Sequence, residues 1–157
     1  MEEIIDFHMW MFLCEKRAET WELFGAAGLL FGITSGNRFQ YFVRRLISLG
    51  RQVYEAAMEN PDNLIEVSAV RERVQYRHSV GVLPEELSVN FETLGYVSID
   101  AYKRATSKEA ITLWEAVEAR GVEIREPFRP RGEYWDDNED AQWRLPRIYR
   151  YLSDLNA

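Results

Sequence analysis

Residues 70–99 read VRERVQYRHSVGVLPEELSVNFETLGYVSI, and this stretch decides the fold class that the sequence predicts. From 70 to 82 the even positions are mostly apolar and the odd positions mostly polar; from 87 to 99 the odd positions are mostly apolar. Alternation with a period of two is typical of half-buried strands. Residues 83–86 join the two runs and carry a proline at the second turn position, which favours a hairpin loop.

The register of this hairpin brings compatible side chains together. Val80 lies opposite Val89 on one face, and Arg77 lies opposite Glu92 on the other. Apolar and oppositely charged pairs across two strands stabilise a sheet. We therefore expect a β-hairpin at 70–99.

A helical alternative for the same region stays open. Asn63 and Glu66 have the spacing of a capping box, in which each side chain bonds the other residue's backbone at a helix start. Val67, Val70 and Val74 follow at helical spacing. On this interpretation the whole chain is all-α.

The residues before the hairpin predict helices. Over 4–18 the apolar residues repeat every three or four positions and form one stripe, made of Phe7, Trp10, Met11, Cys14, Ala18 and Trp21. Glu15, Glu19 and Glu22 are expected on the opposite, solvent side. Since nearly every position from 7 to 14 is apolar, this helix should be covered on more than one side, by its own domain or by a partner. A second amphipathic helix is predicted over 38–59.

The residues after the hairpin predict two more helices and a strand. Thr106 and Glu109 form a capping box, and Gly121 closes the helix that follows. Residues 122–125 resemble a short third strand, and Pro146 is suited to the first position of a final helix at 147–156.

The expected fold class is α+β: an N-terminal helical pair, a β-hairpin, a crossover helix, a short third strand and a C-terminal helix. The chain is interpreted as one domain, 1–157, since 157 residues match one ordinary domain. Within it we expect a helical hairpin at 1–60, a ββαβ unit at 61–126, and a loop plus C-terminal helix at 127–157.

Composition excludes several classes of protein. The single cysteine, Cys14, rules out an internal disulfide framework and cysteine-rich zinc sites. A net charge of −7 argues against broad binding to nucleic acid. The acidic start of the chain does not resemble an export signal, and the longest uncharged apolar run, 23–34, is too short to span a bilayer. We expect a cytoplasmic protein that does not bind membranes.

The sequence offers few residues for catalysis. His8 and His78 have no neighbour at metal-ligand spacing, and the glycine-rich phosphate-binding strings are absent. No catalytic set, cofactor or metal is therefore predicted, although His78, Glu92 and Asp100 are weak candidates for acid–base chemistry. The acidic run 136–140 lacks the spacing of a calcium loop and is interpreted as solvated.

The C-terminal part is rich in arginine, tryptophan and tyrosine, the residue types enriched at interface hot spots. The residues expected to bind a partner are Arg129, Arg131, Tyr134, Trp135, Trp143, Arg147 and Tyr151. A local basic face is also expected on the helix over 38–51, from Arg38, Arg44, Arg45 and Arg51.

Three functions follow from these observations. The preferred hypothesis is a non-enzymatic interaction module, either a subunit of a larger assembly or a small acidic inhibitor or immunity-type binder. Its partner would be another protein, or a second copy bound through the N-terminal apolar helix. The alternatives are a small enzyme that uses carboxylates and His78, and a binder of anionic ligands, such as nucleic acid or a membrane surface, through the basic helix 38–51.

Overall fold

The chain is all-α. The computed structural model describes residues 1–124, 127–135 and 139–157. In these ranges it has α-helices and 3₁₀ segments but no strand, apart from one isolated bridge between Thr20 and Arg131. The predicted α+β fold, with its β-hairpin and third strand, is therefore wrong. Residues 122–124 have no regular structure, and Arg125 lies outside the described residues.

The helical elements follow one another along the chain. The α-helices are α1 (Glu2–Ala18), α2 (Trp21–Phe31), α3 (Gly36–Ser48), α4 (Arg51–Glu59), α5 (Ser68–Val80), α6 (Val97–Thr106), α7 (Ala110–Glu118), α8 (Ala141–Arg144) and α9 (Pro146–Leu155). Three 3₁₀ segments stand between them, at Pro61–Glu66, Glu85–Leu87 and Glu92–Tyr96.

The first half of the expected hairpin is helix α5. Val70 and Val74, one turn apart, are buried, whereas Tyr76 and Val80 are exposed. Only the two valines at helical spacing reach the core, so the period of two in this segment does not reflect a buried face. The helical alternative was correct for this segment, but its cap was not: α5 begins after Val67, without a side-chain cap.

The second half of the expected hairpin contains two 3₁₀ segments and the start of α6. Helix α5 ends at Gly81, whose φ of +86° is a left-handed conformation that glycine adopts without strain. Val80 and Val89 do not pair, because Val89 is buried and Val80 is exposed. The segment returns to α3 instead, where the Phe91 backbone N–H donates to the Tyr41 carbonyl at 3.1 Å.

The predicted helix 38–59 is two helices, α3 and α4. The break lies at Gly50, whose φ of +104° cannot be accommodated inside a right-handed helix. Other helices are confirmed with small shifts: α1 begins two residues early, and α9 begins at Pro146. Helix α7 is also present and buries Leu113 and Val117, but the predicted capping box of Thr106 and Glu109 is wrong, because α7 begins after Glu109 without a side-chain cap.

Among the residues that the structure describes, the hydrophobic core has two parts. The larger part surrounds α2 and α3 and includes Leu23, Phe39, Phe42 and Leu46. The smaller part joins α1, α6 and α7 through Ile5, Tyr102, Leu113 and Val117. Helix α1 also contacts α3, so the inner side of α1 faces both α3 and α6.

A buried carboxylate fixes the C-terminal helix to the middle of the chain. Asp62, in the first 3₁₀ segment, accepts the backbone N–H groups of Arg147 at 3.0 Å and Ile148 at 2.9 Å. These belong to the first turn of α9, where N–H groups lack a partner within the helix and favour negative charge.

The segment 127–135 returns to the N-terminal helices. The Arg131 guanidinium donates to the carbonyls of Lys16 and Arg17 at the end of α1, at 2.8 and 2.7 Å. The Trp135 ring covers Gly25 of α2, where a Cβ atom would come within 2.7 Å of Cη2. Over the described ranges, no helix is long and apolar enough to cross a membrane.

Candidate ligand pocket

A pocket of about 340 Å³ opens between α1, α3 and the start of α6. Its walls combine aromatic rings and aliphatic groups with five ionisable side chains, two of which are tyrosines. The lining residues are His8, Met11, Phe12, Glu15, Gln40, Tyr41, Arg44, Gly95, Tyr96, Ile99, Trp114 and Ile124. We refer to this cavity as the Arg44 pocket.

A buried ion pair forms one wall. Arg44 Nε donates to Glu15 Oε1 at 2.6 Å, and the two side chains are only 16% and 8% exposed. Burial raises the pKa of the Glu15 carboxyl, and the nearby Glu19 adds to the rise, whereas the hydrogen bond and the charge of Arg44 oppose it. Glu15 and Glu19 are both buried, so the prediction that they face solvent was wrong. The cost of burying the Glu15 charge is offset by Arg44, which lies 29 residues further along the chain.

The Arg44 guanidinium is held on several sides. Its Nη1 donates to the Glu92 carbonyl at 3.2 Å, and its Cζ lies 5.6 Å from the centre of the Tyr41 ring. Gly95 lets the guanidinium approach the backbone closely. Nη2 has no hydrogen-bond partner among the described residues, so a fixed guanidinium keeps donors available in the pocket.

His8 stands two helical turns before Glu15 on the same side of α1. Its Nδ1 lies 2.8 Å from Ser98 Oγ on α6. Burial lowers the pKa of His8, and the positive charge of Arg44 lowers it further. The imidazole is therefore neutral near pH 7, and a neutral imidazole can accept a proton from a bound molecule.

The rim of the pocket carries two tyrosines beside Glu92. The Tyr96 hydroxyl donates to Glu92 Oε1 at 2.9 Å. This bond raises the pKa of Tyr96; burial first and Glu92 second raise the pKa of Tyr41. Both hydroxyls therefore stay protonated near neutral pH, and Glu92 is the acceptor beside them.

The weak catalytic candidates of the sequence do not form one site. His78 lies on α5, where its Nε2 is 3.0 Å from Asn156 Oδ1. Asp100 is exposed on α6, and Glu92 is at the rim of the Arg44 pocket. Of the acidic run 136–140, residues 136–138 lie outside the described residues. Elsewhere in the described chain, no group of three His, Cys, Asp or Glu side chains could hold a metal ion.

The residues expected to bind a partner have different surroundings. Trp135 is buried and Arg131 binds the end of α1, so both side chains serve the fold. Arg147 Nη1 donates to Asn63 Oδ1 at 3.0 Å, and the Tyr151 hydroxyl is buried without a partner in the described ranges. The remaining three are exposed: Arg129, Tyr134 and Trp143.

The expected basic face of 38–51 is divided. Arg38 is exposed, and Arg44 lies in the pocket. Arg45 stacks over the Phe91 ring with its Cζ 4.4 Å from the ring centre, and Arg51 is on α4 beside Glu55. Of these four arginines, only Arg44 lines the Arg44 pocket.

Sequence reasoning did not find the pocket residues His8, Glu15, Tyr41 and Trp114. One signal was present: His8 and Glu15 are seven residues apart, and this spacing places them on one side of a helix. Their partners Ser98 and Arg44 come from other helices and could not be read from local spacing.

Residues 1–104 match a family described as "Protein of unknown function (DUF4240)". No curated protein matches the chain, and no solved structure does so either.

Proposed function

The chain belongs to the DUF4240 family of proteins of unknown function, and we propose that it binds a small anionic molecule in the Arg44 pocket. The family match includes every lining residue of this pocket except Trp114 and Ile124. The pocket is thus built almost entirely from the part of the chain that carries the family resemblance.

The observation that carries this proposal is the fixed guanidinium of Arg44. Glu15 and the Glu92 carbonyl accept from its Nε and Nη1 and so orient it, and Arg44 lines the pocket with Nη2 as the group proposed to donate to a ligand. The Nη2 group of a guanidinium carries two N–H donors, and such charged donors bind the oxygen atoms of a carboxylate or phosphate strongly. Because few of its motions must be lost on binding, an oriented arginine favours affinity.

The walls indicate the rest of the ligand. Phe12, Tyr41, Tyr96 and Trp114 surround the polar groups with aromatic surface. Pockets for small molecules combine such apolar walls with a few placed polar groups. We therefore expect an anionic group attached to a flat or apolar body, such as an aromatic carboxylate or phosphate.

His8 adds a group for acid–base chemistry to the same pocket. A neutral imidazole held by Ser98 would take up a proton from a ligand bound at Arg44. A small enzyme therefore stays an alternative function, with His8 instead of His78 as its acid–base residue. The anionic ligand predicted for helix 38–51 is also retained. It is now proposed to be a small molecule that binds Arg44. The proposed setting is the cytoplasm, since Cys14 is a free thiol.

Binding can be tested by nuclear magnetic resonance with benzoate and phenyl phosphate as anionic probes and benzamide as the uncharged control. We expect the anions to shift the signals of the Arg44 Nε–H and the Gly95 amide, and benzamide to have little effect. Arg44→Met should abolish the shift of the Gly95 amide, whereas Arg38→Met, on the exposed part of the same helix, should preserve both shifts. Equal binding of benzamide, or shifts confined to residues outside the pocket, would contradict the proposal.

An interaction module remains a second candidate. The supporting observation is the exposure of Trp143 and Tyr134, at 78% and 67%. We expect a protein that co-purifies from the native host to be lost with the double variant Tyr134→Ala/Trp143→Ala and retained with Tyr76→Ala, an exposed residue elsewhere. Retention of every co-purifying protein by the double variant would exclude this surface.

A further inference from the structure

Helix α1 exposes an apolar stripe on the side opposite the Arg44 pocket. The stripe consists of Phe7, Trp10 and Leu13, which are 37%, 50% and 47% exposed. His8 and Glu15 lie on the other side of α1, in the pocket wall. Contiguous apolar surface of this kind marks interaction sites, and here it lies outside the proposed ligand site.

The two ends of the stripe carry opposite charge. At the N-terminal end are Glu2, Glu3 and Asp6, with Arg120 contacting Glu2 and Asp6. Three carboxylates there face one guanidinium, and Glu3 has no ion-pair partner in the described ranges. This end of the stripe is therefore negative.

The C-terminal end of the stripe is positive. Arg17 donates to both carboxylate oxygens of Glu55, at 3.0 and 2.8 Å, and Arg51 stands beside the same carboxylate. Two guanidiniums there face one carboxylate. Next to them a groove of about 430 Å³ runs between α1 and α4, with Trp10, Ile47 and Tyr54 in its walls.

We propose that this stripe joins two copies of the chain in an antiparallel dimer. Glu3, Trp10 and Arg17 are seven residues apart and so lie on one line along α1. A two-fold axis at Trp10 places Phe7 against Leu13 of the second copy and Glu3 against Arg17 of the second copy. A parallel arrangement would place charges of the same sign together. A surface that is complementary to itself about a two-fold axis is the requirement for a homodimer.

The size of the stripe sets the strength of the dimer. Three large side chains per copy are fewer than the residues of a standard interface, which buries about 800 Å² per partner. We therefore expect a reversible dimer with a dissociation constant of about 10–100 µM. The charged ends should make it weaken as salt is added, because exposed pairs are screened.

The first test is sedimentation velocity of the full chain at rising concentration. The wild type should shift from monomer to dimer, and Trp10→Glu or Leu13→Glu should weaken association at least tenfold while the melting temperature is kept. Trp143→Glu, which alters a more exposed tryptophan elsewhere, should dimerise as the wild type does. A wild type that stays monomeric up to about 1 mM would overturn the proposal, because a dimer of the expected affinity would be populated at that concentration. In that case the stripe would bind a different macromolecule.

The second test concerns the orientation. Glu3→Arg should weaken the dimer, because at each end it would place an arginine at residue 3 of one copy against Arg17 of the second copy. The triple variant Glu3→Arg/Arg17→Glu/Glu55→Arg restores opposite charges where residue 3 meets residue 17 of the second copy, and it keeps an ion pair between residues 17 and 55 on each copy's own surface, so it should dimerise again. If the triple variant stays as weak as Glu3→Arg, the antiparallel arrangement is wrong.

Discussion

The Arg44 guanidinium rests directly on the backbone of Gly95. A Cβ atom at residue 95 would lie 2.5 Å from Arg44 Cζ, which is closer than folded proteins allow. The same guanidinium holds Glu15 and the Glu92 carbonyl. The absence of a side chain at Gly95 therefore sets the position of Arg44 in the pocket.

Gly95→Ala should displace Arg44 rather than unfold the protein. The clash involves the end of a flexible side chain, so we expect a stability loss of about 1 kcal/mol or less and at least a tenfold loss of anion affinity. Thermal unfolding and ligand titration measure the two effects separately. In an Arg44→Met background the alanine should cause no further loss of stability, and an additive loss would contradict this explanation.

Arg44→Met should destabilise the protein by about 3 kcal/mol at pH 7, because Glu15 would remain buried without a counter-ion. Burial already raises the pKa of Glu15 above its ordinary value of 4.5. The protonated carboxyl is the form that the fold favours, so stability is present at low pH and is lost as pH rises through this raised pKa. Urea unfolding should therefore show a smaller deficit at pH 5. Adding Glu15→Gln should recover most of the loss at pH 7, whereas a double variant as unstable as Arg44→Met would argue against the ion pair as the cause.

His8→Asn should flatten the dependence of stability on pH below neutrality. Burial, followed by Arg44, lowers the pKa of His8 from 6.5, so the folded state favours the neutral ring. Stability from this group is present above pH 6.5 and is lost as pH falls towards the lowered pKa. We expect the melting temperature of the wild type to fall more between pH 7 and pH 5 than that of the variant. Because Glu15 titrates in the opposite sense in both proteins, the difference between them is the quantity to compare.

Asp62→Ala should cost about 2 kcal/mol, because two N–H groups of α9 would lose a buried acceptor. Asp154→Ala, an exposed acid on the same helix, is the matched control and should change stability by less than about 0.5 kcal/mol. Chemical denaturation of both variants measures the difference. Similar losses would show that α9 does not depend on this cap.

Trp135→Ala should destabilise the protein by about 3 kcal/mol, since it removes a buried ring from the surface of α2. Trp143→Ala should leave stability within about 0.5 kcal/mol of the wild type. The sequence grouped these two tryptophans as partner-binding residues, although their exposures are 6% and 78%. Equal thermal shifts for the two variants would contradict the assignment of Trp135 to the core.

Helix positions were predictable where one face is buried and the ends are marked. Pro146 marked the start of α9, and Leu113 and Val117 marked the inner face of α7. The strand prediction for the segment around Val70 was wrong because the solvent side of this helix carries β-branched and aromatic residues such as Val80 and Tyr76, which are typical of strands. The intrinsic preference of these residues favours a strand, but the packing of the segment against the core makes it a helix.

The candidate site was beyond local reasoning for a different reason. A glutamate such as Glu15 on a helix is normally solvated. Its carboxylate can be buried only when the fold brings a positive charge beside it that offsets the free-energy cost of desolvation. That counter-charge, Arg44, was visible in the sequence as one of four arginines near α3, with nothing to distinguish it from Arg38 or Arg45. Its distinguishing feature is Gly95, from a segment that the sequence assigned to a strand.

The C-terminal third of the chain completes the interior that the family-matched part begins. Leu113, Leu145 and Ile148 are fully buried, Trp135 covers Gly25, and Asp62 is occupied by the first turn of α9. A polypeptide truncated after residue 104 would leave Gly25 of α2 without the Trp135 ring and the Asp62 carboxylate without its two donors. We therefore expect the cooperative folding unit to extend beyond the family-matched residues 1–104.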